Sequence, residues 1–111
     1  MLEKPNFLNN QAMILYNVTV NIEPDVHDDW LSWMKEKHIP DIMNTGLFRG
    51  HYMFRIISNP QEEGLTYCIQ YFLDSVRDYE KYQEKYAPDL QQEFEERYRD
   101  KFVTARTIMK E

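Results

Sequence analysis

Residues 48–73 read FRGHYMFRIISNPQEEGLTYCIQYFL, and the fold turns on how this stretch divides. Its first part alternates, with Phe48, Tyr52, Phe54 and Ile56 at one parity and Arg49, His51, Met53 and Arg55 at the other. A period of two is the mark of a strand with two unlike faces. From Leu65 to Leu73 the alternation returns: Leu65, Tyr67, Ile69, Tyr71 and Leu73 are apolar or aromatic, whereas Thr66, Cys68 and Gln70 face the other way. The turn-forming segment Ser58–Gly64 between them is too short for a crossover helix, so the two strands are expected to pair antiparallel as a hairpin.

Upstream, Met13–Ile22 carries Ile14, Tyr16, Val18, Val20 and Ile22 against Asn17, Thr19 and Asn21, which predicts a first strand. Glu23-Pro24-Asp25 breaks it, and Asp25 is placed to cap a helix whose inner face is Val26, Trp30, Trp33 and Met34. Pro40 is expected to interrupt that helix, with one short turn through Ile42 and Met43 closed by a left-handed Gly46. Downstream, Ser75 with Asp78 three residues later opens a second helix, striped by Val76, Tyr79, Tyr82, Tyr86, Leu90, Phe94 and Tyr98 and kinked or divided at Pro88. Glu93/Arg97 and Glu95/Arg99 are spaced to support its solvated face. Phe102–Met109 reads as a last strand, with Val103 and Ala105 on one face and Thr104 and Arg106 on the other. The order β-α-β-β-α-β predicts an α+β, ferredoxin-like arrangement: one antiparallel sheet with both helices on one face.

The chain has 111 residues, with 13 Lys+Arg against 19 Asp+Glu and a formal charge of −6. That balance excludes a nucleic-acid binder driven by bulk charge. No run reaches the roughly 18 apolar residues that a membrane span needs. Neither nucleic acid nor membrane is therefore an expected partner. A single cysteine, Cys68, forms no internal disulfide, and with no secretion signal in the N-terminal residues the expected setting is a reducing, cytoplasmic one. Residues 1–12 are polar and unpatterned, so they are set aside as an N-terminal extension and residues 13–111 are taken as one domain, with Met13 an alternative start.

The sheet face that the helices leave open is expected to hold Leu15, Asn17, Thr19, Arg49, His51, Arg55, Thr66, Cys68, Gln70, Phe72, Thr104, Arg106 and Ile108. A short, polar, neutral-to-basic face suits a cavity beneath a second sheet, and a second copy of the chain supplies one. Arg49, Arg55 and Arg106 in such a cavity suit a carboxylate or phosphate, or else ion pairs with a partner subunit, the commoner use of interface arginines. His38 with Asp41 reads as an acid/base pair near the cavity mouth, or as a helix carboxyl-end residue that stabilises the dipole. His51 is a ligand-binding or proton-carrying group, or an interface residue; His27 sits in an acidic, exposed turn and is read as non-functional. No metal-ligand spacing, phosphate-cradling glycine loop, nucleophilic triad or dinucleotide fingerprint is present, so neither metal nor cofactor is expected. Cys68, mid-strand, reads as a small buried hydrophobe.

Met13-Ile14-Leu15-Tyr16-Asn17-Val18-Thr19-Val20, Trp30-x-x-Trp33-Met34, His38-Ile39-Pro40-Asp41 leading to Thr45-Gly46, Thr66-Tyr67 to Gln70-Tyr71, Tyr86-Ala87-Pro88 and Arg106-Thr107 together resemble a family of short bacterial proteins known only as a domain of unknown function. In architecture that family resembles the dimeric α/β-barrel superfamily, whose ferredoxin-like subunits set their sheets face to face. The resemblance places this chain near small cofactor-free monooxygenases, isomerases of small acids and stress-induced proteins, through fold alone. The Asn/Trp/His set of the haem-degrading members has no counterpart here: Asn17 stands on the first strand, but the tryptophans are on the first helix, and that activity is not carried over.

The resulting expectation is a homodimer enclosing a cavity lined by Asn17, His51, Arg55, Gln70 and Arg106, with His38 at its rim. The cavity takes a small anionic or aromatic molecule, with or without cofactor-free chemistry. The alternative is a non-catalytic assembly or regulatory module.

Overall fold

β1 (Ile14–Ile22) runs through a 3-10 turn (Pro24–Val26) into α1 (His27–Trp33), a π-helical turn (Met34–His38) and α2 (Ile39–Met43). The hairpin β2 (Gly50–Arg55) and β3 (Leu65–Leu73) follows, then α3 (Val76–Lys85), α4 (Ala87–Arg97) and β4 (Phe102–Lys110). This is a computed structural model that describes residues 12–58 and 63–111. Residues 1–11, nearly all of the expected extension, and residues 59–62 within the expected turn lie outside it. The strands form one antiparallel sheet in the order β2-β3-β1-β4, which is the expected α+β arrangement.

The core is built on the two central strands. Register sets Ile14 opposite Leu73, Tyr16 opposite Tyr71, Val18 opposite Ile69 and Val20 opposite Tyr67, so the apolar rows of β1 and β3 share one face. Trp30, Trp33, Met34, Tyr82 and Phe94 bury that face from the helices. Ser75 caps α3 as expected, its Oγ accepting from the Asp78 amide at 3.1 Å. The helix divides at Tyr86, two residues before Pro88, and Gly46 adopts φ +78°.

Local expectations fail in three places on the helices. The first turn starts after Glu23 with no side-chain cap, and Asp25 instead pairs with Lys101 at 2.8 Å. Pro40 does not stop the first helix: the chain stays helical from His27 to Met43, and a π-helical turn immediately before it accommodates the proline. Glu93 and Arg97 reach across the helix layer, to Lys37 at 3.2 Å and Asp29 at 3.4 Å, rather than to each other.

The larger correction concerns β2 and β4. The Arg49 amide donates to the Phe72 carbonyl at 2.8 Å while Gly50 is the register partner of Phe72, so two residues stand opposite one in a bulge. The extra residue reverses the alternation. Phe48 is buried before it; after it, His51, Met53 and Arg55 lie opposite Tyr71, Ile69 and Tyr67 on the helix side, and Tyr52 and Phe54 turn outward. Arg49 itself is taken by Asp74 at 2.7 Å. In β4, Thr104, Arg106 and Ile108 stand opposite Val20, Val18 and Tyr16, on the helix side, and Val103 is 72% exposed on the outer face. Phe102, whose ring lies 4.6 Å from that of Phe94, sets this phase. The expected open-face positions of His51, Arg55, Thr104, Arg106 and Ile108 are thus overturned, whereas Arg49 stays opposite the outward Phe72.

Two glycines with positive φ separate strain from space. A Cβ on Gly46 (φ +78°) meets nothing, whereas one on Gly64 (φ +81°) would lie 2.9 Å from the Ile22 carbonyl oxygen. Gly46→Ala is expected to cost about 1 kcal/mol from the left-handed backbone alone, and Gly64→Ala about 3 kcal/mol, in urea unfolding. Equal losses would show that the Gly64 turn relaxes freely.

Candidate functional site

The two faces of the sheet differ in chemistry. The outer face carries Leu15, Asn17, Thr19 and Asn21 from β1; Tyr52 and Phe54 from β2; Thr66, Cys68, Gln70 and Phe72 from β3; and Val103, Ala105, Thr107 and Met109 from β4. Every one is uncharged, in a chain of which 29% is Asp, Glu, Lys or Arg. Asn17 and Gln70 are register partners at its centre. The Cys68 thiol donates to Asn17 Oδ1 at 2.6 Å, and Asn17 Nδ2 donates to Thr19 Oγ1 at 3.2 Å. Burial pushes the Cys68 pKa up, with a Gln70 hydrogen bond opposing, which disfavours the thiolate that nucleophilic chemistry needs. Toward the β2 edge the face becomes aromatic: the Tyr52 ring lies 5.9 Å from Phe54 and 5.5 Å from Phe72.

On the helix side, Arg106 and His38 come together. They line a small space of about 20 Å³ with Tyr71, Phe94 and Thr104, a volume that matches roughly one water molecule. His38 is 8% exposed, stacked on Trp33 at 4.8 Å and edge-on to Phe94 at 5.4 Å, and its buried Nδ1 has no hydrogen-bond partner among the described residues. Burial lowers its pKa to about 4; the Asp41 charge opposes this, and Arg106 and Lys37 assist it. His38 is therefore neutral at pH 7. Asp41 is held by Lys37 at 2.7 Å, so the expected His38–Asp41 pair does not form, and since α2 continues past His38 it is not a helix carboxyl-end residue either. Around Arg106 stand phenols whose burial raises their pKa. The Arg106 charge partly offsets that rise at Tyr16 and at Tyr82. The arrangement offers one fixed cation, a neutral imidazole and neutral hydroxyls.

The six candidate residues thus fall into separate places. Asn17 and Gln70 share the outer face, and His38 and Arg106 share the helix side. His51 lines a groove against α2, and Arg55 lies at the end of the edge strand opposite Tyr67. One feature escaped the sequence reading: His27 is not free in solvent but bonds the Tyr67 hydroxyl through Nε2 at 2.7 Å and Asp28 through Nδ1 at 2.9 Å. The available signal was Tyr67 itself, a hydroxyl in an inward row that requires a partner. Among the described residues no three His, Cys, Asp or Glu side chains are grouped to hold a metal, and no helix is long and apolar enough to cross a membrane.

Residues 13–111 match the family described as a domain of unknown function (DUF4286). The chain belongs to this family. No curated protein matches the DUF4286 chain. Among solved structures it is similar to an ethyl tert-butyl ether d (EthD) family protein from Bacillus halodurans C-125, at 12% identity and TM-score 0.67 over 88% of this chain and 98% of that one. It is also similar to a dimeric ferredoxin-like protein from an uncultured marine organism, at 13% identity and TM-score 0.61 over 91% and 96% of the two chains. A NIPSNAP family protein with unknown function from Agrobacterium tumefaciens C58 matches at 17% identity and TM-score 0.63, over 92% and 90%. At these identities the likeness establishes the ferredoxin-like fold.

The buried neutral His38 gives a pH test. Its folded pKa of about 4 lies below the unfolded value near 6.5, so the unfolded state takes up the proton first as pH falls. The stability of the neutral form is complete above about pH 6.5 and is lost as pH drops toward 4, by up to about 3 kcal/mol. Urea unfolding between pH 7 and 4 should show a steeper loss for the natural protein than for His38→Leu; parallel curves would place His38 in water.

Proposed function

We propose that this DUF4286 protein is a homodimer paired through its uncharged sheet face, and that each subunit binds a small anionic molecule beside Arg106 and His38. The observation that carries this reading is the sorting of charge between the two faces. Two uncharged faces meet without stranding a buried charge, and each has exposed apolar side chains at both edges, Tyr52 and Phe54 on β2 and Val103 and Met109 on β4, that pairing would cover. The likeness to a ferredoxin-like protein that is dimeric supports self-association. Asn17, Gln70 and Cys68 then line the space between the sheets, and a free thiol there suits a reducing, cytoplasmic setting.

The anion belongs on the other side of the sheet, where the arginine is. A guanidinium fork binds a carboxylate or phosphate through paired hydrogen bonds, and the neighbouring phenols and imidazole add neutral partners. An oxyanion head matches the small space at His38, with the rest of the molecule extending past Arg106 toward the exposed end of β4. With a pKa near 4, His38 is a weak base, so the site favours holding an anion over moving a proton. The second reading, a non-catalytic assembly module, is favoured by the size of that same space, which an organic ligand fills only by its head.

Native mass spectrometry of freshly purified protein tests both. A dimer carrying extra mass is expected, with Arg106→Ala still dimeric but bare. Val103→Asp, at an exposed outer-face position, is expected to weaken association by at least roughly tenfold, since it buries an unpaired charge. A natural monomer defeats the reading outright, and a dimer bare in both forms leaves the assembly module.

A further inference from the structure

At the opposite edge of the sheet from Arg106, we propose a second binding site, a groove between α2 and β2 that takes a small amphipathic acid with a short alkyl or aryl tail. The groove has a volume of about 420 Å³, within the range of small-ligand pockets, roughly 300 to 1,000 Å³. Ile39, Pro40, Met43 and Met53 make its floor, and Lys35 and His51 stand at its rim.

Two departures from regular structure create it. The bulge at Arg49 and Gly50 turns His51 and Met53 toward the helix side, where strict alternation from Phe48 would have sent them outward. The π-helical turn carries the helix on past Pro40, so that Ile39 and Met43 face the edge strand without covering it. The floor is apolar, and two of its side chains are thioethers, unbranched and polarisable enough to adapt to tails of different shape.

Charge selects the ligand. In a chain of net charge −6, Lys37 and Lys101 each pair with two carboxylates, whereas Lys35 makes no ion pair among the described residues. Among the described residues, the His51 ring lies against the Tyr71 ring, at 6.3 Å between centroids, and makes no ion pair. One unpaired ammonium and one imidazole over an apolar floor fit a single carboxylate with an apolar tail. A nucleotide would need several more donors and a phosphate-cradling loop. A second copy presenting the same groove would set lysine against lysine.

Octanoate is the probe, octanol its uncharged control, and the readout is the methyl signals of 13C-methyl-methionine protein. Saturable shifts at Met43 and Met53 are expected with octanoate, with octanol at least tenfold weaker, while any shift at Met34, which lines the Arg106 space, reports that other site. Lys35→Gln and His51→Ala, both at exposed positions, should each weaken the Met43 and Met53 response severalfold, while Arg106→Ala leaves that response unchanged and so separates this groove from the Arg106 site. Absence of saturable shifts at Met43 and Met53, equal binding of octanol, or indifference to Lys35→Gln would overturn the proposal.

Discussion

The pairing of β1 with β3, which sets Tyr16 beside Tyr71 and Val18 beside Ile69, is the constraint to which the rest of the molecule is referred. Because successive side chains on a strand point to opposite faces, that one register decides which face of the whole sheet is buried. The helices settle on the aromatic and aliphatic row it creates, and Trp30, Tyr16, Tyr71 and Tyr82 become the largest fully buried side chains. The edge strands then inherit their faces from the central pair through hydrogen bonding, whatever their own composition suggests. Val103 is exposed and Arg106 faces the helices for this reason.

A consequence is that charge is segregated by the sheet. The outer face, uncharged from β2 to β4, can be covered at low electrostatic cost, while the helix side holds Arg106 among neutral phenols and His51 near Lys35. Desolvation acts differently on the two sides. On the outer face it falls on amides, hydroxyls and a thiol that satisfy one another, as Cys68, Asn17 and Thr19 do. At His38 it falls on a titratable ring packed between Trp33 and Phe94, and the lowered pKa follows from that packing.

Much of the architecture was legible from pattern alone. Alternation marked all four strands, the short link between β2 and β3 required a hairpin, and Ser75, Pro88 and Gly46 announced a cap, a division and a left-handed turn that the structure contains. Less of the candidate site was legible. Asn17 and Gln70 were placed on their proper face because their strands are strongly two-sided. His51 and Arg55 were not, because the bulge at Arg49 and Gly50 reverses an alternation that the pattern reads as unbroken, and Arg106 was not, because the packing of Phe102 sets the phase of its edge strand. The His27–Tyr67 bond joins residues 40 apart in the chain, beyond the reach of any local pattern.

The sequence by itself determined the order of elements, the antiparallel sheet and its inner row on β1 and β3, since these rest on periodicity and turn chemistry between neighbours in the chain. Only the tertiary structure decided which side of the sheet each edge-strand residue occupies. A bulge of one residue at Arg49 and Gly50, and the packing of Phe102 on Phe94, each set a phase opposite to the one that alternation along the strand suggests. That choice moved the arginine from the open face to the helices.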